Sequence, residues 1–325
     1  MSFSYYENTS FGMGTLIEQK ISAESPAGAD WLFHETGALL QKLEVEMSYF
    51  LPRSDVSQLN SCDGNAPVTM GAATFEVLKA ANTFYRLSGG AFDVTTAPLT
   101  ALWRACISTG KLPADEEIQR LRPLVGGSRL ELDEKKHTVK IGHGQSVDLG
   151  GIGKGFAADM VKEACQKSGV TSAFVNLGGN VNTLGAKTNG GPWMIGLQDP
   201  RNPRGNFIAG LAVADRSAVT SGDYEKCFEA HGKRYHHIID PKTGYPADSD
   251  LMSATVLSPS SMEADALSTA VFVLGLRDGM ELIGKIPQAE AVLVTKEKTV
   301  FLTKGLQNSF TVNGDGHGYR FCVYD

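Results

Sequence analysis

Apolar residues recur along this chain with two periods, and each segment takes the element whose period it follows. Gly14–Ile21 alternates weakly, as a half-buried strand does. Trp31–Met47 places Trp31, Leu32, Leu39, Leu40, Leu43 and Met47 at helical spacing, which predicts an amphipathic helix. Leu51–Asn60, entered through Pro52, is polar without a period and reads as a loop. Thr74–Ser88 is helical again and stops at Gly89-Gly90, while Asp115–Leu121 forms a short charged helix after Pro113. Arg129–Leu132 and Thr138–Ile141 flank Asp133–Lys136 as a hairpin. Gly155–Ser168 is a helix closed by Gly169. Ser172–Asn176 and Pro192–Leu197 read as strands joined by a glycine-rich turn. Strand patterns continue at Phe207–Val213, Ala218–Ser221, His236–Ile239 and Ala254–Leu257. Met262–Leu274 is a helix ending at Gly275, followed by a hairpin of Ala291–Val294 with Thr299–Leu302 and a last strand, Tyr319–Val323.

Helices and strands are mixed without strict βαβ alternation, which predicts an α+β fold with mixed sheets flanked by helices. No low-complexity linker or short repeat divides the chain, so residues 1–325 are expected to form one unit. An apolar share of 42% supports a sizeable core. Lys+Arg number 30 against 36 Asp+Glu, a net charge of −6, which argues against nucleic-acid binding. No apolar stretch approaches the roughly 20 residues of a membrane span. The N-terminus shows no basic and apolar leader pattern, so a cytoplasmic protein is expected. Five widely spaced cysteines without a CxxC read as reduced thiols. Zinc at Cys227, His231, His236 and His237 is disfavoured, because their spacing matches no usual ligand pattern.

Glycine is in excess, 36 of 325 residues, and it crowds between Gly142 and Gly196. The run Asp148-Leu149-Gly150-Gly151-Ile152-Gly153-Lys154-Gly155-Phe156 enters a helix. It fails the P-loop, because Gly155 stands where Ser or Thr is required, and it fails G-x-G-x-x-G at Phe156. Two readings remain: a tight strand–helix turn, or a backbone cradle where glycines and a helix N-terminus meet an anion beside Lys154. In the latter, Asp148 would accept from a ring N–H or a sugar hydroxyl. Asp265 and Thr269 are i and i+4 on one helix face, a hard-oxygen pair suited to Mg²⁺ or merely an acidic first turn. His236 and His237 enter an Asp240-Pro241-x-Thr243-Gly244 turn, where either a general base or merely one solvent-facing and one packed histidine fits the pattern. Ser221 lacks the G-x-S-x-G elbow of a serine hydrolase.

Taken together these residues resemble the ApbE family, the FAD:protein FMN transferases, over about residues 11 to 275. The resemblance is carried by Phe11-x-Met13-Gly14-Thr15, Met47-Ser48 with Ser54-x-x-Ser57-x-x-Asn60, Gly90–Thr95 with Pro98-Leu99 and Trp103, and Asp148–Gly155. Val175–Asn180, Thr220–Tyr224, His237–Gly244 and Ala264–Thr269 complete it. It implies an ApbE-like, tandem T-fold-like architecture that takes FAD and Mg²⁺, transfers FMN to a threonine or serine of an acceptor flavoprotein, and releases AMP. It places the metal on the Asp265 and Thr269 side chains and the Gly151 and Ser268 carbonyls. It places flavin and nucleotide contacts on Met13, Phe50, Ala91, Phe92, Asp93, Asp148, Lys154 and Ile239. It makes His237 the residue that assists the acceptor hydroxyl, with Lys154 and Asp265 as its catalytic companions. Phe50 stands where tyrosine is frequent, so a stacking ring is kept and a hydroxyl lost. The family's acceptors carry a Ser/Thr-Gly-Ala-Thr type motif, and no Gly-Ala-Thr occurs here, so another protein is the expected acceptor. An FAD pyrophosphatase and a non-catalytic flavin-binding module are the alternatives.

Overall fold

The computed structural model describes residues 3–324. Its spine is a nine-stranded sheet whose strands lie side by side in chain order. They are β1 (Ser4–Gly12), β2 (Thr15–Ala23), β6 (Ala173–Leu177), β7 (Asn180–Leu184), β10 (Ser217–Gly222), β13 (Leu251–Ser258), β14 (Glu290–Thr295), β15 (Thr299–Thr303) and β17 (Arg320–Tyr324). Neighbours are antiparallel except β15 and β17, which run parallel. A small sheet joins β3 (Val68–Thr69), β5 (Thr138–Lys140) and β4 (Glu131–Asp133). Another joins β16 (Phe310–Val312), β9 (Phe207–Val213) and β8 (Trp193–Gln198), and β11 (Cys227–Ala230) pairs only with β12 (Lys233–His236).

The helices are α1 (Pro26–Met47), α2 (Asp55–Ser61), α3 (Ala72–Leu87), α4 (Ala97–Thr109), α5 (Asp115–Leu121), α6 (Gly153–Lys167), α7 (Ser261–Leu274) and α8 (Leu276–Gly284). In α1, Ser25 caps the first turn by accepting from the Gly28 N–H, and Pro26 pre-sets the entry. Its buried residues Leu32, Thr36, Leu40, Leu43 and Met47 recur every three or four positions, so one stripe faces the sheet. Helix α7 has no exposed residue, its polar Asp265 and Ser268 being buried along with the apolar ones, as befits a helix with protein on every side. The main core joins α1, α3, α6 and α7 to Ile17, Ile21, Val175, Leu177, Val219, Ala254 and Val256 of the sheet. A second core lies between β8–β9 and the sheet residues Ala218, Leu257, Val292, Val294, Val300 and Leu302. A third, smaller core holds Leu99, Trp103, Cys106, Ile118 and Ile239 against Phe228 and Tyr235.

Several sequence expectations are corrected. Leu51–Asn60 is not all loop: α2 forms within it, capped by Ser54 accepting from Ser57 N–H, and buries Val56 and Leu59. The glycine-rich turn expected between Ser172–Asn176 and Pro192–Leu197 contains β7, which is buried throughout. The strand expected at His236–Ile239 ends at His236, and Ile239 makes only an isolated bridge to Pro246. Strand β1 and helices α4 and α8 lie where no element was read. The five cysteines are free, as expected. Among the described residues no helix is long and apolar enough to cross a membrane, and no three His, Cys, Asp or Glu side chains gather as a metal cage.

Candidate active site

The Gly150–Gly155 loop and α7 meet because α6 and α7 touch backbone to backbone. Gly155 makes this approach feasible: a Cβ there would lie 2.7 Å from the Met262 Cα and collide with the Ser261 carbonyl. The Gly155 N–H donates instead to Asp265 Oδ2 at 2.9 Å. From α6, Asp159 caps α7, accepting from the Ser261 and Met262 N–H groups at 2.7 and 2.9 Å and from the Ser260 hydroxyl at 2.7 Å. Burial pushes the Asp159 carboxyl up, and these hydrogen bonds pull it back. Asp159 was not singled out from sequence. Its only signal is an acid beside the buried positions Ala158 and Val161 of α6.

Asp265, Ser268 and Thr269 share one face of α7, as their spacing predicts. Asp265 is buried and forms no ion pair among the described residues. The Ser268 hydroxyl donates to the Asp265 carbonyl at 2.9 Å. Ser221, on β10, lies 2.9 Å from the Ser268 hydroxyl and 3.3 Å from the Thr269 hydroxyl, a positioning role that its sequence context does not reveal. Gly151 closes the group: a Cβ there would sit 3.5 Å from Thr269 Oγ1 and 3.3 Å from the Phe92 ring. A buried unpaired carboxylate, a hydroxyl and nearby carbonyls are the hard oxygen donors that Mg²⁺ takes, so these residues fit that ion.

Lys154 reaches back to donate to the Gly150 carbonyl at 2.9 Å. Ile152, the N-cap residue of α6, supplies no side-chain cap, and Asp265 takes the Gly155 N–H of the first turn, so the positive end of the helix already faces one carboxylate. Asp148 Oδ1 accepts from Gly150 N–H, and Oδ2 accepts from Arg104 of α4, both at 2.9 Å. Arg104 was missed because α4 was missed. Ala91 and Phe92 are buried just after Gly89-Gly90, both at positive φ. Asp93 spends its carboxylate inside the fold, accepting from Thr95 N–H at 2.8 Å, the Thr95 hydroxyl at 2.6 Å and Gly127 N–H at 2.9 Å. Burial raises its pKa against those bonds. Met13 occupies the tip of the β1–β2 hairpin at φ 53°. Phe50 is exposed beyond α1, and Ile239 packs in the third core.

The two histidines separate. His236 is buried, with Nε2 3.0 Å from the Ala247 carbonyl and Nδ1 accepting from Ile238 N–H at 3.2 Å, so both ring nitrogens are used. His237 Nδ1 lies 3.2 Å from the Glu225 carbonyl. A carbonyl only accepts, so Nδ1 carries the proton and Nε2 keeps its lone pair. Burial pushes His237 down to about 4, with the charges of His236, Lys226 and Lys154 adding to the effect. It is therefore a neutral base at pH 7.

A mixed sheet with helices packed on one face, and a buried acid–hydroxyl pair beside a glycine-rich helix start, make this an α+β protein with one concentrated polar site. Residues 13–293 match the ApbE family, and the chain belongs to it. The FAD:protein FMN transferase of Klebsiella pneumoniae is 32% identical over 98% of both chains, and that of Haemophilus influenzae is 33% identical over 90% of this chain and 87% of its own. The ApbE protein of Thermotoga maritima superposes with a TM-score of 0.86 at 31% identity, covering 94% of this chain and 99% of that one. The flavin transferase ApbE of Vibrio cholerae gives 0.84 at 28% identity, covering 95% and 100%. With these relatives, the protein is an enzyme of the transferase class.

Proposed function

We propose that the chain is an FAD:protein FMN transferase that moves FMN from FAD to a threonine or serine hydroxyl of an acceptor flavoprotein and releases AMP. The observation that carries the reading is the convergence of Asp265, Ser268, Thr269 and Gly151 at the N-terminus of α6, beside Lys154. The Asp265 and Thr269 side chains, with the Gly151 and Ser268 carbonyls, would hold Mg²⁺, which when bound neutralises charge on the pyrophosphate. Lys154 and the first turn of α6 face the same phosphates, a preorganised positive environment for charge that grows as the bond breaks. Phe92 and the Gly150–Gly151 backbone shape the wall beside them. Met13, Phe50, Ala91, Asp93, Asp148 and Ile239 complete the FAD contacts in this reading.

His237 Nε2 takes the proton of the acceptor hydroxyl. That oxygen forms a bond to the FMN-side phosphorus as the bond from this phosphorus to the bridging oxygen breaks. AMP departs with the bridging oxygen. The acceptor is a separate protein with a Ser/Thr-Gly-Ala-Thr type motif. The test is incubation with FAD, Mg²⁺ and such an acceptor. Flavin fluorescence on the denatured acceptor, with AMP in equal amount, is expected; free FMN without labelling would mean that water takes the place of the hydroxyl and would overturn the transferase reading.

A further inference from the structure

The Arg104 guanidinium joins two parts of the site that are far apart in sequence. One N–H donates to Asp148 Oδ2 at 2.9 Å. The same group lies 4.7 Å over the Phe50 ring and 5.4 Å over the Tyr49 ring. Tyr49 meets Phe50 edge-on, with ring centres 5.4 Å apart. Phe50 is nevertheless 69% exposed, a large apolar ring left open to solvent. On the other side, Asp148 accepts from Gly150 N–H, and the Gly150 carbonyl accepts from Lys154. An unbroken line of contacts thus runs from an open aromatic ring, through Arg104 and Asp148, to the phosphate-facing loop.

We propose that Arg104 is a positioning residue for the flavin half of FAD. It fixes the Phe50 ring and the Asp148 carboxylate at a set separation. A flat heterocycle can then lie against the ring while Asp148, which has lone pairs to spare, accepts from its N–H. Arg104 itself stays 41% exposed in this pair, so the contact adds modestly to folding and its use lies in geometry. Arginine suits the task because one planar group both stacks and donates; a lysine would keep the charge and lose the stack. The inference rests on the FAD reading and deepens it.

The test compares binding of FMN, the flavin half, with ADP, a nucleotide without flavin, to wild type, Arg104→Ala and Arg104→Lys in the full chain. Arg104→Ala is expected to weaken FMN about tenfold, the size of one charged stacking and ion-pair contact, and to leave ADP within about twofold. Arg104→Lys should fall between, the KM for FAD should rise with kcat held, and thermal unfolding should be unchanged. FMN binding that does not change in Arg104→Ala, or that falls together with ADP, overturns the proposal. If wild type transfers FMN and Arg104→Ala still binds FMN as tightly, this inference alone fails. If wild type binds no FMN, it fails together with the FAD reading.

Discussion

Around Asp265 two helices touch backbone to backbone inside the main core, whereas around His237 and Arg104 the chain is held by side chains over the small third core. The Asp265 side is set by glycine: Gly155 lets α6 and α7 meet, Asp159 of α6 accepts from the Ser261 and Met262 N–H groups, and Asp265 of α7 accepts from the Gly155 N–H. The other side is set by Trp103, fully buried, whose indole N–H donates to the Gly244 carbonyl at 2.9 Å and whose ring stacks on Tyr235 at 5.6 Å. One region has no slack, because a methyl group has nowhere to go. The other can be adjusted residue by residue. In the proposed reaction, charge sits where the fold is rigid, and recognition of flavin and acceptor sits where it is not.

Four substitutions or conditions would break or sharpen that contrast. Asp265→Asn keeps the shape and loses the charge; transfer should drop about a thousandfold or more, the several kcal/mol a bound cation supplies, while the chain stays folded. His237→Gln should lower kcat by about a hundredfold or more, the contribution of a general base, with little change in FAD binding. Gly155→Ala should cost about 3 kcal/mol in denaturant unfolding, because α6 and α7 must part. An alanine at Gly179, exposed and with open space around its Cα, should cost less despite its positive φ. If the two cost the same, backbone contact is not what fixes the floor.

The smallest effect concerns pH. His236 and His237 are both lowered from 6.5 to about 4, so the fold favours their neutral forms. Their contribution is complete above pH 6.5 and is lost as pH falls from 6.5 toward 4. Unfolding measured between pH 7 and 5 should show this slope, and His236→Gln should flatten about half of it. A pH-independent stability across that window would contradict the neutral assignment of both rings.

How much of this could be read beforehand differs between the two regions. Helix α7 announced itself through apolar spacing and Gly275, and its Asp265–Thr269 pair through i, i+4 spacing. What sequence left open there, loop or cradle, turned on Gly155, whose role depends on a helix more than a hundred residues away. Strand β7 escaped notice because Asn180, Asn182 and Thr183 are polar yet buried, with Asn182 donating to Asp159 at 2.8 Å. Strand β1 is an edge whose exposed and half-buried positions alternate, but polar Asn8 and Ser10 take half-buried places and Phe11 an exposed one, so the sequence does not show the alternation. At the rim, Trp103 was seen as a motif residue, but its neighbour Arg104 has meaning only once α4 brings it to Asp148 and Phe50. Adjacent His236 and His237 carry the same sequence signal, and their hydrogen-bond partners, two ring nitrogens engaged against one, tell them apart.

The most direct test of the floor's chemistry is a Mg²⁺ titration of FMN transfer, run in parallel on wild type and Asp265→Asn with flavin on the denatured acceptor as the readout. Wild type should rise to saturation with Mg²⁺ and stop when the ion is chelated, and Asp265→Asn should stay near zero across the same range. Equal labelling by the two proteins, or labelling that chelation leaves untouched, would contradict the account.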